Sequence, residues 1–355
     1  DSIRKTIFIS RDRVGEKPLY YQYSEGILSF ASELKALLSG KNTEAIINKE
    51  SLDCYLGMGF VPNDRCIIKG FNKLPAAHSL LFDLKNNELN VWRYWSIPNA
   101  SKPLNFDKNL KKDLANELEV LLESSIKQQM VADVPVGVLL SGGVDSSLIT
   151  AIAARNTERL KTFTVRFPGS GKLDETKHAR LIAKKFNTEH VELDASSVKP
   201  DLLIKLARQF DEPIVDSSMI PTFLVSQLVQ KHCKVVLGGD GADELFGGYE
   251  HYSRLLKMEG VAKFIPRAIR SEISYFAEKY IPVGAKARSW LLGFGYDTKN
   301  GVPLIANYFD PTARSSLMRD KFDHWDTVSE SILQANTSKC GDLIQRATMM
   351  DFNNY

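Results

Sequence analysis

Residues 136–155 read VGVLLSGGVDSSLITAIAAR, and this stretch decides the fold. Its apolar start, residues 136–140, is typical of a buried strand, and residues 147–155 have the pattern of a helix. Between them, the adjacent glycines Gly142 and Gly143 allow a turn with positive φ, in which successive backbone N–H groups point into one concavity. The positive end of the following helix dipole favours an anion at the same place. The stretch therefore predicts a loop that binds phosphate or pyrophosphate.

Four side chains of this loop refine the prediction. The hydroxyl groups of Ser141, Ser146 and Ser147 are further donors to phosphate oxygens, whereas the carboxylate of Asp145 would repel them. A divalent cation such as Mg²⁺ between the two removes the repulsion, so Asp145 predicts a metal. The alternative is a tight strand-to-helix turn in which a Ser or Asp side chain only caps the helix. Neither GxxxxGK[ST] nor GxGxxG occurs in the chain, which disfavours Walker-type and Rossmann nucleotide sites.

On both sides of this stretch the chain alternates between helices and strands. The predicted elements cover residues 108–130, 136–140, 147–155, 162–167, 175–186, 190–193, 201–210, 221–232 and 234–237. In the helix over residues 175–186, Ala179, Ala183 and Phe186 follow the spacing of one buried face. Apolar strands between amphipathic helices predict a parallel sheet that is covered by helices on both faces.

The first 95 residues have a different pattern. Short runs rich in β-branched and aromatic residues alternate with turns and predict the strands KTIFISRD, KPLYYQY, ILSFAS, HSLLFDL and LNVWRYW. Residues 96–106, SIPNASKPLNF, contain two prolines and no periodicity, as in a linker. The predicted organisation is a β-rich domain over residues 1–95, a linker over residues 96–106, and an α/β domain over residues 107–355.

A second glycine-rich motif, LGGDGADELFGGY at residues 237–249, follows the last apolar strand. SGGVDSS resembles the pyrophosphate-binding loop of the ATP-pyrophosphatase superfamily, and the second motif narrows the resemblance to the glutamine-dependent asparagine synthetase family. That family implies a parallel sheet of the ATP-pyrophosphatase (adenine nucleotide alpha hydrolase-like) type, with the second motif at its carboxyl end. Ligands of open α/β sheets bind at that end.

The resemblance implies roles for individual residues. Asp145 and Asp243 would hold Mg²⁺, and Asp240 would be the general base near the incoming ammonia, at a position where the family often has glutamate. A longer set would bind ATP and its pyrophosphate: Leu139, Ser141, Gly142, Gly143, Asp145, Ser146, Ser147, Val165, Gly238 and Gly239. Without the resemblance, the second motif is an acidic turn with helix-capping carboxylates, and Leu139 and Val165 are sheet core.

The N-terminal part resembles the same family. RDRVGEKPLYY at residues 11–21 and FASELKALL at residues 30–38 are similar to the closing third of its class II glutaminase domain, an Ntn-type α+β fold. The family's glutamine-hydrolysing cysteine is N-terminal, whereas position 1 here is Asp1, so no residue of this sequence is assigned to glutamine hydrolysis. We expect a piece of a longer protein, without the start of the glutaminase domain and without the C-terminal end of the synthetase domain.

The resemblance implies ATP-dependent amidation of a carboxylate. A carboxylate oxygen would attack the α-phosphorus of ATP, pyrophosphate would leave, and glutamine-derived ammonia would displace AMP from the acyl-adenylate. Aspartate is the expected acceptor, with ATP and Mg²⁺ as cofactors. Residues 211–222, DEPIVDSSMIPT, lack the arginine that aspartate-specific members place there. A sugar uronic acid is therefore an alternative acceptor, and a β-lactam synthetase-like ligase is a further alternative.

The composition limits the class of partner. The chain of 355 residues is 43% hydrophobic and 25% charged, and its 46 basic and 43 acidic residues give a net charge of +3. This balance disfavours nucleic acid as a partner, and with it a tRNA-modifying relative. No apolar run approaches the ~20 residues that cross a bilayer, so no membrane partner is expected. A non-catalytic homologue would have lost Asp145 or Asp243, and both are present.

The four cysteines lack CxxC spacing, so neither a zinc cage nor a disulfide framework is predicted. This usage fits a reducing compartment, and we expect a cytoplasmic enzyme. Its expected partners are small molecules, namely ATP, a carboxylate acceptor, and glutamine or ammonia, and a homodimer is left open.

Overall fold

The computed structural model contains two compact units. It describes residues 1–39, 45–62, 64–98, 107–166, 175–195, 200–299, 301–305, 307–319, 321, 325–335 and 341–354. The first unit comprises Asp1–Pro103, Ala207–Val215 and Asp243–Tyr355, and the second unit comprises Leu104–Leu206 and Asp216–Ala242. The domain bounds read from the sequence stay a prediction, and residues 99–106 of the predicted linker lie outside the described residues.

The described residues form ten strands and fourteen helices. The strands are β1 (Thr6–Ser10), β2 (Tyr20–Ser24), β3 (Ile27–Ala31), β4 (Asn72–Lys73), β5 (His78–Asp83), β6 (Glu88–Arg93), β7 (Val136–Leu139), β8 (Lys161–Arg166), β9 (Glu189–Asp194) and β10 (Val235–Leu237). The helices are α1 (Leu34–Ser39), α2 (Lys49–Met58), α3 (Lys108–Gln129), α4 (Val144–Arg155), α5 (Thr176–Lys185), α6 (Asp201–Gln209), α7 (Met219–Val229), α8 (Ala242–Phe246), α9 (Glu250–Ala262), α10 (Arg267–Tyr280), α11 (Arg288–Gly293), α12 (Pro311–Met318), α13 (Ser329–Ala335) and α14 (Leu343–Asn354). None of these described helices is both long enough and apolar enough to cross a membrane.

The second unit contains a parallel sheet with the strand order β10-β7-β8-β9. Val138 of β7 pairs with Thr162 of β8 on one side and with Leu237 of β10 on the other. The chain therefore winds outward from β7 through β8 to β9, and then returns to the opposite side of β7 to form β10. This arrangement confirms the parallel sheet that the alternating sequence pattern predicts.

Helices cover both faces of the parallel sheet. On one face, Val138 packs with Ile152 of α4 in a buried apolar cluster. On the other face, Phe163 of β8 packs with Val229 of α7. Burying each of these side chains contributes about 1.5–3 kcal/mol, so helix packing on both faces stabilises the sheet. Ala179 of α5 is fully buried as predicted.

Helices α4 and α7 begin elsewhere than the sequence pattern indicates. α4 begins at Val144, inside the glycine-rich loop, because Gly143 has extended backbone (φ −66°, ψ 171°) and serves as the N-cap. α7 begins at Met219 and so includes Pro221 in its first turn, where a missing N–H costs no helical hydrogen bond.

Helices α1 and α2 are not predicted by the sequence pattern. The bounds of α2 have clear local causes, since the Asn48 side chain accepts hydrogen bonds from the N–H groups of Glu50 and Ser51. Gly59 ends the helix in the left-handed region at φ +88°. Both cap residues can be read from the sequence, but the strand-rich pattern around them does not indicate a helix of ten residues.

The first unit contains two antiparallel sheets, β1-β5-β6 and β3-β2-β4. In the first sheet Leu80 and Phe82 of β5 point into an apolar cluster with Leu74, and all three are buried. Tyr20 of β2 is buried in a second cluster beside Leu34 of α1. The predicted β-rich character of residues 1–95 is confirmed.

A buried ion pair lies deep in the first unit. Asp53 of α2 accepts a hydrogen bond from Nε of Arg314 over 2.7 Å, and both side chains are fully buried. The Asp53 carboxylate also accepts from Nε1 of Trp325 over 3.1 Å and from the backbone N of Ser329 over 3.0 Å. The Arg314 guanidinium in turn contacts the carboxylate of Glu330. Charge and hydrogen bonding are thus satisfied together, as a buried ion pair requires.

The described cysteines are buried free thiols. Burial raises the pKa of Cys54 and of Cys66 to about 12, so both remain protonated at neutral pH. Cys233 is also buried, and Cys340 lies outside the described residues.

Replacing Asp53 by Asn should destabilise the protein by about 1–3 kcal/mol, because one carboxylate oxygen becomes an NH₂ group and the buried backbone N of Ser329 loses its acceptor. Urea unfolding followed by circular dichroism measures the change. Glu50→Gln, on the same helix, is the control, since Glu50 pairs with Arg65 at the surface and such pairs contribute about 0–1 kcal/mol. Equal unfolding midpoints for the two variants would contradict a central role for the buried pair.

Candidate functional site

The two glycine-rich motifs lie at the carboxyl ends of adjacent strands. Ser141 follows β7 after a single residue, and Gly238 directly follows β10. β7 and β10 are neighbours in the sheet, and the direction of winding reverses between them. In open parallel sheets such a reversal leaves a crevice outside the carboxyl ends of the strands, where ligands bind.

Two serines hold the loop after β7 in shape. Ser141 Oγ accepts a hydrogen bond from the backbone N of Gly143 over 3.2 Å and lies 3.0 Å from Oγ of Ser146. Ser146 Oγ also donates to the carbonyl of Gly143 over 3.4 Å. Ser146 is buried and Ser141 is exposed. Beyond the donor role that the sequence suggests, these hydroxyl groups therefore fix the backbone of the loop.

Gly142 has both a conformation and a position that only glycine allows. Its φ of +89° lies in the left-handed region. A Cβ added there would lie 2.6 Å from the backbone N of Ala179 and 2.6 Å from Cβ of His178, at the start of α5. The loop is therefore packed directly against the backbone of α5.

The first turn of α4 leaves donors for a ligand. Its N-cap, Gly143, makes no side-chain capping hydrogen bond, so the alternative of a Ser or Asp cap does not apply. The first N–H groups of any helix lack an intrahelical acceptor, and here they include those of Val144 and Asp145. Ser147 Oγ is buried and has no hydrogen-bond partner among the residues that the structure describes. These groups together suit an anion.

The second loop approaches the first one through Gly239. A Cβ added to Gly239 would lie 3.0 Å from Cβ of Asp145 and 3.5 Å from the backbone N of Ser146. A Cβ added to Gly238 would lie 2.6 Å from Oδ2 of Asp240, whose side chain is exposed. The structure therefore brings Gly239 and the start of α4 together, with Asp240 at the edge of the same loop.

Leu139 and Val165 lie on one face of the parallel sheet. Leu139 pairs with Phe163, two residues before Val165 on β8, so the alternation of side chains puts all three on that face. Leu139 also packs against the apolar cluster around Phe163 and Val229. Both residues are only partly buried, which leaves apolar surface near the carboxyl end of the sheet.

Asp243 belongs to the first unit, whereas Asp145 belongs to the second. The Asp243 carboxylate lies over Gly248, where an added Cβ would overlap Oδ1 at 1.9 Å. Within the described ranges, no group of three or more His, Cys, Asp or Glu side chains is placed to hold a metal ion. A metal bound to either carboxylate would need oxygen atoms from a ligand, as is usual for Mg²⁺ on one or two carboxylates.

A cavity of about 340 Å³ in the first unit was missed by the sequence analysis. Its lining is mostly apolar and includes Phe60 and Leu304, with Tyr249, His251 and Asp351 among its polar residues. His251 Nε2 lies 3.2 Å from Oδ2 of Asp351. A signal in the sequence is the position of His251, two residues after the end of the second motif.

Two protein-family models match the chain. The model described as asparagine synthase matches residues 117–353, about two thirds of the sequence. The chain belongs to the asparagine synthase family. A model described as a glutamine amidotransferase domain matches residues 1–95, so the chain contains a second family segment before the asparagine synthase segment.

Relatives in the asparagine synthase family cover most of this chain. "Putative asparagine synthetase [glutamine-hydrolyzing] 2" of Methanocaldococcus jannaschii is 38% identical over 279 residues, which are 76% of this chain and 52% of that protein. "Asparagine synthetase [glutamine-hydrolyzing] 1" of Bacillus subtilis is 32% identical over 289 residues, 80% of this chain and 44% of that protein. The chain therefore spans about half the length of the curated relatives it matches.

Replacing Gly142 by Ala should destabilise the protein by about 1–3 kcal/mol, because Cβ forces both a strained φ and a displacement of the loop from α5. Urea unfolding measures the stability, and isothermal titration with ATP measures nucleotide affinity, which we expect to fall. Gly143→Ala is the control for stability, since a Cβ there meets only Ser141 Oγ at 3.3 Å. Unchanged stability and affinity in Gly142→Ala would refute the interpretation of this loop.

Proposed function

We propose that the full-length protein is an ATP-dependent amidotransferase that adenylates a carboxylate and amidates it with ammonia derived from glutamine. Aspartate is the proposed acceptor, and asparagine, AMP and pyrophosphate are the proposed products. The observation that carries the proposal is the loop from Ser141 to Ser147, which lies at the reversal point of the sheet and presents the first N–H groups of α4, which have no intrahelical acceptor. Membership in the asparagine synthase family supports it.

The geometry of the loop fits cleavage next to the ribose end of ATP. The N–H groups at the start of α4 and the hydroxyl of Ser147 would hold the β- and γ-phosphates, which leaves the α-phosphorus open to a carboxylate oxygen. As the new P–O bond forms, the bond to pyrophosphate breaks, and the leaving charge stays on the same donors. Ammonia then attacks the acyl carbon, AMP leaves with its bonding electrons, and a proton passes to Asp240 as the proposed base.

The proposed metal is Mg²⁺ on the carboxylates of Asp145 and Asp243. Asp145 is exposed in the first turn of α4, beside the groups that would hold phosphate, so its carboxylate is free to share a cation with phosphate oxygens. Carboxylate oxygens are the donors that Mg²⁺ prefers, and the ion would supply charge neutralisation at the phosphates. Gly238 and Gly239 would contact the nucleotide through their backbone, with Leu139 and Val165 beside the adenine.

The acceptor has a second candidate. Residues 211–222 contain no arginine, and a bidentate arginine is the usual partner for a second carboxylate on an acceptor such as aspartate. In this stretch Asp216 accepts hydrogen bonds from the backbone N and the hydroxyl of Ser218. A carboxylate acceptor with hydroxyl groups in place of the second charge, such as a sugar uronic acid, is therefore the alternative that this stretch favours.

The apolar cavity beside His251 and Asp351 has a lining suited to neutral ammonia, and its residues come from both family segments, with Phe60 in the first segment and Leu304 in the second.

A cytoplasmic location would fit an enzyme of small-molecule substrates with reduced thiols at Cys54 and Cys66.

Pyrophosphate release by the full-length protein with ATP, Mg²⁺ and a panel of carboxylates tests the proposal. We expect release with aspartate, and Asp145→Asn should lower its rate by about 100-fold through loss of charge stabilisation at the phosphates. Asp133→Asn, an exposed aspartate of the same unit outside both loops, should be neutral. Release with a uronic acid alone would identify the alternative acceptor. Formation of ADP, or no pyrophosphate with any carboxylate, would refute the mechanism.

A further inference from the structure

Residues 207–215 lie in the first unit, although the sequence on either side of them belongs to the second unit. α6 ends at Gln209, and the chain continues Phe210-Asp211-Glu212-Pro213-Ile214-Val215 before it reaches Asp216. This segment contains two adjacent carboxylates, and neither takes part in the proposed chemistry. Their contacts within the first unit show what the segment is fastened to.

Glu212 accepts hydrogen bonds from several described residues of the first unit. Its carboxylate accepts from the backbone N of Ile67 over 2.6 Å, from Nζ of Lys73 over 2.8 Å and from the hydroxyl of Tyr20 over 3.3 Å. The side chains of Glu212 and Lys73 are only 11% and 10% exposed. Lys73 Nζ also donates to the carbonyl of Val61 over 2.8 Å. A buried charge is costly unless it is paired and hydrogen-bonded, and here both conditions are met.

The rest of the segment is fastened on either side of Glu212. The Asp211 carboxylate accepts from the backbone N of Leu34 over 2.6 Å and lies 3.5 Å from Nζ of Lys35. Val215 is fixed at both of its backbone groups: its N donates to the carbonyl of Gly59 over 2.7 Å, and its carbonyl accepts from the hydroxyl of Tyr308 over 3.1 Å. Pro213 lies between the two carboxylates and Val215, and its fixed φ stiffens the chain there.

The partners of Glu212 come from the other family segment. Tyr20, Ile67 and Lys73 fall within the glutamine amidotransferase match at residues 1–95, whereas Glu212 falls within the asparagine synthase match. A buried ion pair contributes little to stability compared with apolar packing, and its best-attested use is to fix the register of two elements. The contacts therefore indicate that this ion pair fixes the position of residues 207–215 relative to the amidotransferase segment.

We propose that Glu212 is a positioning residue that couples the amidotransferase segment to the acceptor-binding stretch. Only residues 213–215 separate it from Asp216, where the stretch lacking arginine continues, and Val215 is fixed as well. A displacement of Lys73 or Ile67 would therefore be transmitted to the start of that stretch, because the short connection allows little independent movement. This inference rests on the proposed function, in which the stretch helps to select the acceptor.

The experiment compares pyrophosphate release by full-length wild type and Glu212→Gln, with glutamine and separately with ammonium chloride as the nitrogen source. Gln keeps the shape and an acceptor for Ile67 N, but it removes the charge that pairs with Lys73. We expect the glutamine-supported rate to fall about tenfold more than the ammonia-supported rate, the scale of a typical coupling between sites. Glutamate formed per pyrophosphate should rise.

Two further variants separate coupling from loss of structure. Glu330→Gln breaks another buried ion pair of the first unit, the one with Arg314, and should lower the urea midpoint without changing the ratio of the two rates. Tyr20→Phe removes only the 3.3 Å hydrogen bond to Glu212 and should shift the ratio in the same direction by a smaller factor. This milder variant decides the question if Glu212→Gln does not fold.

An unchanged ratio in folded Glu212→Gln, or in Tyr20→Phe where the first variant does not fold, overturns the coupling role. So does an equal fall of the ratio in Glu330→Gln, because it would show that any loosening of the unit has this effect. Wild type that releases no pyrophosphate with either nitrogen source instead overturns the proposed function and, with it, the coupling that depends on it.

Discussion

The parallel pairing of β10 with β7 is the constraint on which the candidate site depends. It sets Leu237 beside Val138, so the two glycine-rich loops leave the sheet at adjacent points. Gly239 then approaches α4 so closely that a Cβ would contact Asp145, and Gly142 makes a similar approach to α5. The site is therefore shaped by backbone, and its shape depends on positions where a side chain is absent.

Much of this architecture could be predicted from the sequence because its signals are local. Every predicted strand forms, since apolar and β-branched runs bounded by turn residues leave few other ways to bury their side chains. The glycine-rich loops could be placed at the ends of β7 and β10 for the same reason. The predicted start of α4 at Ser147 was wrong by three residues, because the extended backbone of Gly143 lets the helix begin inside the loop at Val144.

Long-range polar partners could not be predicted from one sequence. Arg314 pairs with Asp53, which is 261 residues away in the sequence, and Lys73 pairs with Glu212, which is 139 residues away. Periodicity indicates which positions are buried, but it does not indicate which two buried charged side chains form an ion pair. The roles of single site residues such as Asp240 are also beyond local patterns, because they depend on groups that a substrate supplies.

The two buried ion pairs have a reciprocal arrangement that explains why charge is retained at both. Asp53 lies in the amidotransferase segment and is held by residues of the asparagine synthase segment, whereas Glu212 lies in the synthase segment and is held by residues of the amidotransferase segment. Apolar contacts tolerate sliding, but a hydrogen-bonded ion pair is satisfied in one geometry only. Two such pairs from opposite segments fix both the position and the rotation of the parts of these segments that lie in the first unit. Apolar packing alone would leave that position and rotation less well defined.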